Sequence, residues 1–177
     1  MRIDNVGVNP TRAGLLNVLS RMGANIKLLN RRDVSEPAAD MVVESAATKG
    51  TTINREEIPS LIDELPVIFV IAAVSRGETV IEGAGELRVK ETDRISSMQS
   101  NLKAMGAGME VDGDDIIIEG GSPLKGAGLK SFGDHRTCMS MAIAALAASG
   151  KSAIDDIGCV NKSFPGFFGT LEGLYVK

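Results

Sequence analysis

The amino-acid sequence predicts a mixed α/β (α+β) fold in which strands and helices recur in repeated units. Three segments, which begin at Val8, Val89 and Val160, start alike, and the first two lead through a helical stretch to Met-Gly-Ala. Two segments of a second kind, from Asp63 and Asp134, run from a polar start through an Ala-rich apolar stretch to a glycine and a strand. Because such units bury their faces against their neighbours, we expect about two units and the start of a third.

The first kind of segment is predicted to form a helix that stops at a glycine. In the segment from Val89, apolar residues recur every three or four positions, as on one face of a helix. Thr11 in the first segment, and Thr92 or Asp93 in the second, are the candidate N-caps. The candidate stops are the glycines at 23 and 106, and the runs 25–28 and 108–111 that follow them are predicted to be strands.

The second kind of segment is predicted to form a helix that is buried on most sides, followed by a strand. Both helices are apolar nearly all round, and Pro66 suits the first turn of its helix. The runs 79–82 and 152–155 after these helices have strand character, as does 41–44. The Asp112-Gly113 dipeptide predicts a tight turn that leads into a further strand at 116–119.

The composition excludes several classes of protein. With 177 residues, the chain can bury a core without disulfide or metal staples. A net charge of −4 and an aromatic content of 3% argue against a general nucleic-acid binder. One histidine and two cysteines do not assemble a zinc site, and Cys138 is expected to be a core residue. We find no signal peptide and no apolar run long enough for a bilayer, so we expect a cytoplasmic protein without membrane contact.

Charged residues gather where the predicted helices of both kinds begin. They are Arg12, Asp63, Glu64, Lys90, Glu91, Arg94, Asp134, His135, Arg136 and Lys162. If the repeats are related by pseudo-symmetry, these starts converge on one surface, where the helix N-termini add partial positive charge. Taken alone, each residue is more simply explained as part of a solvated helix start. Together, cations for binding and carboxylates with a histidine for proton transfer indicate acid–base chemistry on a phosphorylated or carboxylated small molecule.

The stretch 86–94, which reads ELRVKETDR, resembles the signature of the EPSP synthase (3-phosphoshikimate 1-carboxyvinyltransferase) family. Blocks at 8–12, 62–66, 133–136 and 159–165 extend the resemblance in the family's order. The resemblance implies an enolpyruvyl transferase-like domain, in which βαβαββ units pack about a pseudo-threefold axis with helices inside and sheets outside. It implies that residues 1–177 are the C-terminal domain, with units at about 6–85 and 86–158 and the start of a further unit at 159–177. The family's N-terminal domain would then be missing from this chain.

The resemblance also implies a reaction in the shikimate pathway of aromatic amino acid biosynthesis. The family transfers the enolpyruvyl group of phosphoenolpyruvate to the 5-hydroxyl of shikimate 3-phosphate and releases phosphate, without a metal or an organic cofactor. Asp63 matches a carboxylate that contacts the shikimate hydroxyls and is a candidate base. Glu91 matches the acid near the methylene carbon. Lys90 matches a lysine on the shikimate side and is a candidate for both catalysis and substrate binding.

The remaining matches concern the anion that the family binds. Arg94 and Arg136 match the arginines that hold phosphoenolpyruvate, which suits their bidentate geometry. His135, a further catalytic candidate, and Lys162, a substrate-binding candidate, match other members of that anion site. Some family members have Asn where Glu86 stands, so no contact is assigned to Glu86.

Three alternatives and two further expectations complete the predictions. The first alternative is the sister enolpyruvyl transferase that acts on UDP-N-acetylglucosamine, and the second is a non-catalytic, anion-binding repeat domain. An RNA 3′-phosphate cyclase has the same type of repeat unit, but the acidic charge and scarce aromatics weigh against it. We expect the isolated chain to be inactive, because the other domain of the family supplies most contacts to shikimate 3-phosphate. We also expect a monomer.

Overall fold

Helices and short strands alternate along residues 1–33 and 35–174, which are the residues that the computed structural model describes. The strands are β1 (Arg2–Gly7), β2 (Asn25–Arg32), β3 (Ala38–Glu44), β4 (Thr52–Ile53), β5 (Gly77–Ile81), β6 (Gly108–Asp112), β7 (Asp115–Gly120), β8 (Gly128–Leu129) and β9 (Ala153–Ile154). The α-helices are α1 (Gly14–Arg21), α2 (Leu65–Val74), α3 (Arg94–Ala104), α4 (His135–Ala147) and α5 (Phe167–Gly173). Short 3₁₀ turns cover Arg55–Ser60, Ile62–Glu64, Gly85–Val89 and Gly158–Lys162.

The strands form three sheets. In the first, β3 lies between β1 and β2 and is antiparallel to both. In the second, β7 lies between β5 and β6 in the same antiparallel arrangement, and β4 adds to the outer edge of β5 in parallel. In the third, β8 and β9 pair in parallel. The predicted strands at 25–28, 41–44, 108–111 and 116–119 are all confirmed, and all four are longer than predicted.

The core lies where α2, α3 and α4 pack against one another and against the inner faces of the strands. Phe69 and Ile68 on α2 are fully buried, as are Met98 on α3 and Met141 on α4. The predicted burial of the two Ala-rich helices is therefore confirmed. Cys138 is also in the core, as predicted, and burial together with the neighbouring thiol of the other cysteine raises the pKa of Cys138 to about 12.

The helix ends confirm most of the predicted signals and overturn one. Gly23 (φ +87°) and Gly106 (φ +88°) both end their helices in the left-handed conformation that glycine adopts most easily. Asp93 is the N-cap of α3, where its side chain accepts a hydrogen bond from Ser96 N–H at 3.1 Å. The prediction that Thr11 caps α1 is wrong. Its hydroxyl donates instead to Asn9 Oδ1 at 2.8 Å, in a turn that ends before α1 begins.

The two repeated segments that contain α2 and α4 share backbone hydrogen bonds that the amino-acid sequence does not reveal. Gly50 N–H donates to the Arg76 carbonyl at 2.8 Å, and Gly126 N–H donates to the Ser149 carbonyl at 2.7 Å. Each bond opens a parallel strand pair, β4 with β5 or β8 with β9. The same element order, a short strand, a buried helix and a second short strand, thus occurs twice. The division into units at 6–85 and 86–158 stays a prediction.

Replacing Gly126 or Gly50 with alanine should destabilise the chain by roughly 1–3 kcal/mol, the usual cost of overpacking. A β-carbon at Gly50 would overlap the Glu78 carbonyl, and one at Gly126 would overlap the Lys151 carbonyl. Urea unfolding of each variant checks this. Gly108→Ala is the matched control, because a β-carbon there meets nothing within 4 Å. Equal unfolding midpoints for the three variants would show that the close approaches impose no constraint.

Candidate functional site

Arg94 lies at the centre of a charged cluster where three helices begin. It is the first residue of α3, and its side chain is only 1% exposed. Its Nε donates to Asp134 Oδ2 at 2.8 Å, and its Nη2 donates to Glu91 Oε2 at 2.5 Å. Its Nη1 lies 3.5 Å from Asp63 Oδ1 but makes no hydrogen bond to any residue that the structure describes. A buried guanidinium therefore joins the segments before α2, α3 and α4.

The start of α4 is held by a buried carboxylate on a strained loop. Asp134 is fully buried and is the N-cap of α4, where Oδ1 accepts hydrogen bonds from Arg136 N–H at 2.7 Å and Thr137 N–H at 3.0 Å. The preceding residues, Phe132 (φ +55°) and Gly133 (φ +69°), both adopt positive φ. A left-handed bulky residue costs of order 1–3 kcal/mol and persists only where the surroundings fix it, most often at functional sites.

The start of α2 contributes two acids. Asp63 and Glu64 lie in the 3₁₀ turn Ile62–Glu64, directly before the helix. Arg136 Nη1 donates to the Asp63 backbone carbonyl at 2.9 Å, and its Nη2 lies 3.2 Å from Asp63 Oδ2. Glu64 Oε1 lies 3.7 Å from Arg136 Nη1. Burial, with repulsion from Asp63, raises the pKa of Glu64, although Arg136 and Arg12 oppose the rise.

Two clefts open beside these acids. A cleft of about 220 Å³ is lined by Thr11, Arg12, Asp63 and Glu64, among others, so the segment before α1 reaches the same region. A second cleft of about 190 Å³ has an apolar floor from α2, α4 and the segment before α5, and Asp63, Glu64 and Arg136 line it as well. Asp63 and Glu64 therefore line both clefts, one together with residues just before α1 and the other together with residues near the start of α5.

Three residues of the predicted site are not joined to the cluster by a described contact. Lys90 pairs with Glu86 instead, at 2.5 Å. His135 is the first residue of α4 and is half-buried, but it makes no side-chain hydrogen bond or ion pair within the described part of the chain. Lys162 ends the turn Gly158–Lys162 and is exposed. Its side chain also makes no hydrogen bond or ion pair with residues 1–33 or 35–174.

The cluster is more acidic than the sequence suggested. Two guanidinium groups, those of Arg94 and Arg136, are in contact with four carboxylates, which belong to Asp63, Glu64, Glu91 and Asp134. Sequence reasoning assigned no role to Glu64 or to Asp134. The signal for Asp134 was its place before the first turn of a predicted helix, where aspartate caps the backbone.

Two further kinds of site, a metal centre and a membrane span, can be tested on the described residues. Among them, no group of three or more His, Cys, Asp or Glu side chains is arranged to hold a metal ion. Within the same residues, no helix combines the length and apolar character that crossing a bilayer requires.

The chain matches the family model described as EPSP synthase (3-phosphoshikimate 1-carboxyvinyltransferase) over residues 1–171. It is 51% identical to the 3-phosphoshikimate 1-carboxyvinyltransferase of Geobacter sulfurreducens over 99% of its own length and 41% of that relative. It is 53% identical to the enzyme of the same name from Syntrophotalea carbinolica, over 94% of its own length and 39% of the relative. The chain thus spans about two fifths of the length of these relatives.

Solved structures give the same result. An EPSP synthase from Acinetobacter baumannii superposes with a TM-score of 0.92 at 39% identity, over 97% of this chain and 41% of that chain. The enolpyruvyl transferase NikO from Streptomyces tendae superposes with a TM-score of 0.72 at 19% identity, over 98% of this chain and 38% of that chain, which shows the shared fold alone. The predicted enolpyruvyl transferase-like α/β fold is confirmed.

Proposed function

This chain belongs to the EPSP synthase family, and we propose that it forms the C-terminal part of an enzyme that transfers the enolpyruvyl group of phosphoenolpyruvate to the 5-hydroxyl of shikimate 3-phosphate. The observation that carries the proposal is Arg94. Its guanidinium is buried, and its Nη1 has no hydrogen-bond partner among the described residues. A fixed guanidinium edge suits a carboxylate or a phosphate, the two anionic groups of phosphoenolpyruvate.

The proposed reaction has two steps. The 5-hydroxyl oxygen bonds to C2 of phosphoenolpyruvate as its proton leaves and another proton joins the C3 methylene, which gives a tetrahedral intermediate. A proton then leaves the new methyl group, the bond from C2 to the phosphate oxygen breaks, and phosphate departs. Asp63 and Glu91 are the proposed pair for the proton transfers, and their contacts with different nitrogens of Arg94 support this assignment.

The other predicted residues are proposed to balance charge and bind substrate. Because four carboxylates surround Arg94 and Arg136, an incoming anion needs further positive charge. Lys90, His135 and Lys162 are proposed to supply part of it. The rest is proposed to come from an N-terminal domain of the same enzyme, which would close over this surface. A monomer in the cytoplasm, working without a metal or organic cofactor, remains our proposal.

An activity comparison tests the proposed function. The chain is joined to the part of the Geobacter sulfurreducens relative that lies outside the matched region, and phosphate release from phosphoenolpyruvate and shikimate 3-phosphate is measured. We expect turnover by this chimera and none by the 177-residue chain alone. Substituting UDP-N-acetylglucosamine for shikimate 3-phosphate should abolish turnover. Turnover with the UDP-sugar, or normal turnover by the chain alone, would contradict the proposal.

A further inference from the structure

The carboxylate of Asp134 accepts hydrogen bonds from both arginines. Its Oδ2 accepts the hydrogen bond from Arg94 Nε at 2.8 Å, while its Oδ1 accepts from the backbone N–H groups of Arg136 and Thr137. The Asp134 carboxylate therefore holds the side chain of Arg94 and the main chain of Arg136. The two guanidinium groups come from different helices, α3 and α4, and Asp134 is the described residue that makes hydrogen bonds to both arginines.

Helix capping alone does not require this residue. An N-cap needs a single acceptor, which serine, threonine or asparagine provides as well as aspartate does. A fully buried carboxylate also carries a large desolvation cost unless it is paired. Asp134 is 0% exposed, and among residues 1–33 and 35–174 its second oxygen accepts a hydrogen bond only from Arg94 Nε. Capping and the guanidinium contact together need two acceptor oxygens on one short side chain, which asparagine and serine lack.

The loop that carries Asp134 is built to fix its position. Phe132 and Gly133 take positive φ directly before it, and Asp134 N–H donates to the Ser131 carbonyl at 3.1 Å. Ser131 N–H in turn donates to Asp155 Oδ1 at 2.8 Å, just after β9. The strained backbone is thus held at both ends, so the carboxylate has little freedom to follow a moving arginine.

We propose that Asp134 is the positioning residue that sets the geometry of both arginines in the phosphoenolpyruvate site. This proposal rests on the proposed function. With Nε held by Asp134, the Nη1 edge of Arg94 faces Asp63 and the anion that would bind there. With the start of α4 capped, Arg136 leaves the helix at a fixed angle beside the same acid. Asp134 contacts neither substrate in this scheme and acts only through the two arginines.

Steady-state kinetics of the chimera test the positioning role. In Asp134→Ser, which keeps the cap but does not reach Arg94, KM for phosphoenolpyruvate should rise at least about tenfold, as for the loss of one charge-assisted hydrogen bond. Asp134→Asn should behave alike, because its single oxygen cannot serve the cap and Arg94 together. KM for shikimate 3-phosphate should change less than KM for phosphoenolpyruvate, since the hydrogen bonds of the Asp134 side chain go to Arg94, Arg136 and Thr137 and none goes to Asp63 or Lys90.

Asp93→Ser is the matched control, because Asp93 caps α3 as Asp134 caps α4 but contacts Arg88 and not Arg94. KM for phosphoenolpyruvate should hardly change in this variant. A purely structural role of Asp134 would lower the amount of folded enzyme and leave KM of the folded fraction at its normal value. Equal KM values for Asp134→Ser and Asp93→Ser would overturn the proposal.

A second measurement on the 177-residue chain needs no turnover. Hydrogen exchange at Arg94 Nε–H, followed by NMR, should be slow in the parent chain and in Asp93→Ser, and fast in both Asp134 variants. Unchanged slow exchange in either Asp134 variant would overturn the positioning role. If the unmodified chimera shows no turnover, the proposed function fails, and the exchange result still decides whether Asp134 holds Arg94.

Discussion

Replacing Arg94 with methionine should lower the free energy of unfolding of the chain by about 3–5 kcal/mol, the usual cost of removing one partner from a buried ion pair. The side chains of Arg94 and Asp134 are 1% and 0% exposed, so water cannot replace the lost guanidinium. The penalty arises from the carboxylate that is left behind, not from lost packing, because methionine fills most of the same space. Urea unfolding of the variant and the parent chain measures it.

Two further variants separate this explanation from a general effect of losing an arginine. Arg88→Met removes the partner of Asp93, but that pair is more than one third exposed on both sides, so we expect a cost of at most about 1 kcal/mol. The double variant Arg94→Met with Asp134→Asn removes the stranded charge and keeps a capping oxygen, so it should recover most of the loss. If the double variant is as unstable as Arg94→Met, the buried charge is not the cause.

The sequence predicts the helices of this fold well because their apolar spacing and their ends obey local rules. Short-range backbone chemistry alone decides where a helix begins at Asp93 and where helices end at Gly23 and Gly106. The structure places these three residues as predicted. Thr11 is the exception, since Asn9 two residues earlier competes for its hydroxyl. The sequence does not predict the close approaches at Gly50 and Gly126, because they depend on backbone segments brought in from far along the chain.

The candidate site shows the same division between local and distant information. That Arg94 and Arg136 belong together follows from the repeats and from the family resemblance. That Arg94 is almost fully buried, and that a carboxylate from α4 pairs with it, depends on how α3 and α4 meet in space. Spacing along a sequence does not show which charged side chains face the interior. The sequence therefore identifies Asp134 as part of a motif but does not show that it pairs with Arg94.

Glu91 is the residue whose replacement should most reduce turnover at little cost to stability. In the chimera, Glu91→Gln should lower kcat about 10²–10⁴-fold, the range that a lost general acid or base produces. Glutamine has nearly the same shape and still accepts a hydrogen bond from Arg94 Nη2, but it cannot deliver a proton at neutral pH. Because the Glu91 side chain is 52% exposed and Asp134 stays paired with Arg94, the free energy of unfolding should change by at most about 1 kcal/mol.

The size of this effect distinguishes the proposed enzyme from a non-catalytic, anion-binding repeat domain. In a non-catalytic binding domain Glu91 would transfer no proton, so the substitution would not lower turnover by the chimera. Glu110→Gln is the matched control and should leave kcat unchanged, because Glu110 is an exposed acid on β6 that makes no described ion pair with Arg94 or Arg136. A kcat for Glu91→Gln within tenfold of the Glu110→Gln value would remove Glu91 from the proton transfers. Asp63 would then be the only acid of the proposed pair left to serve both steps.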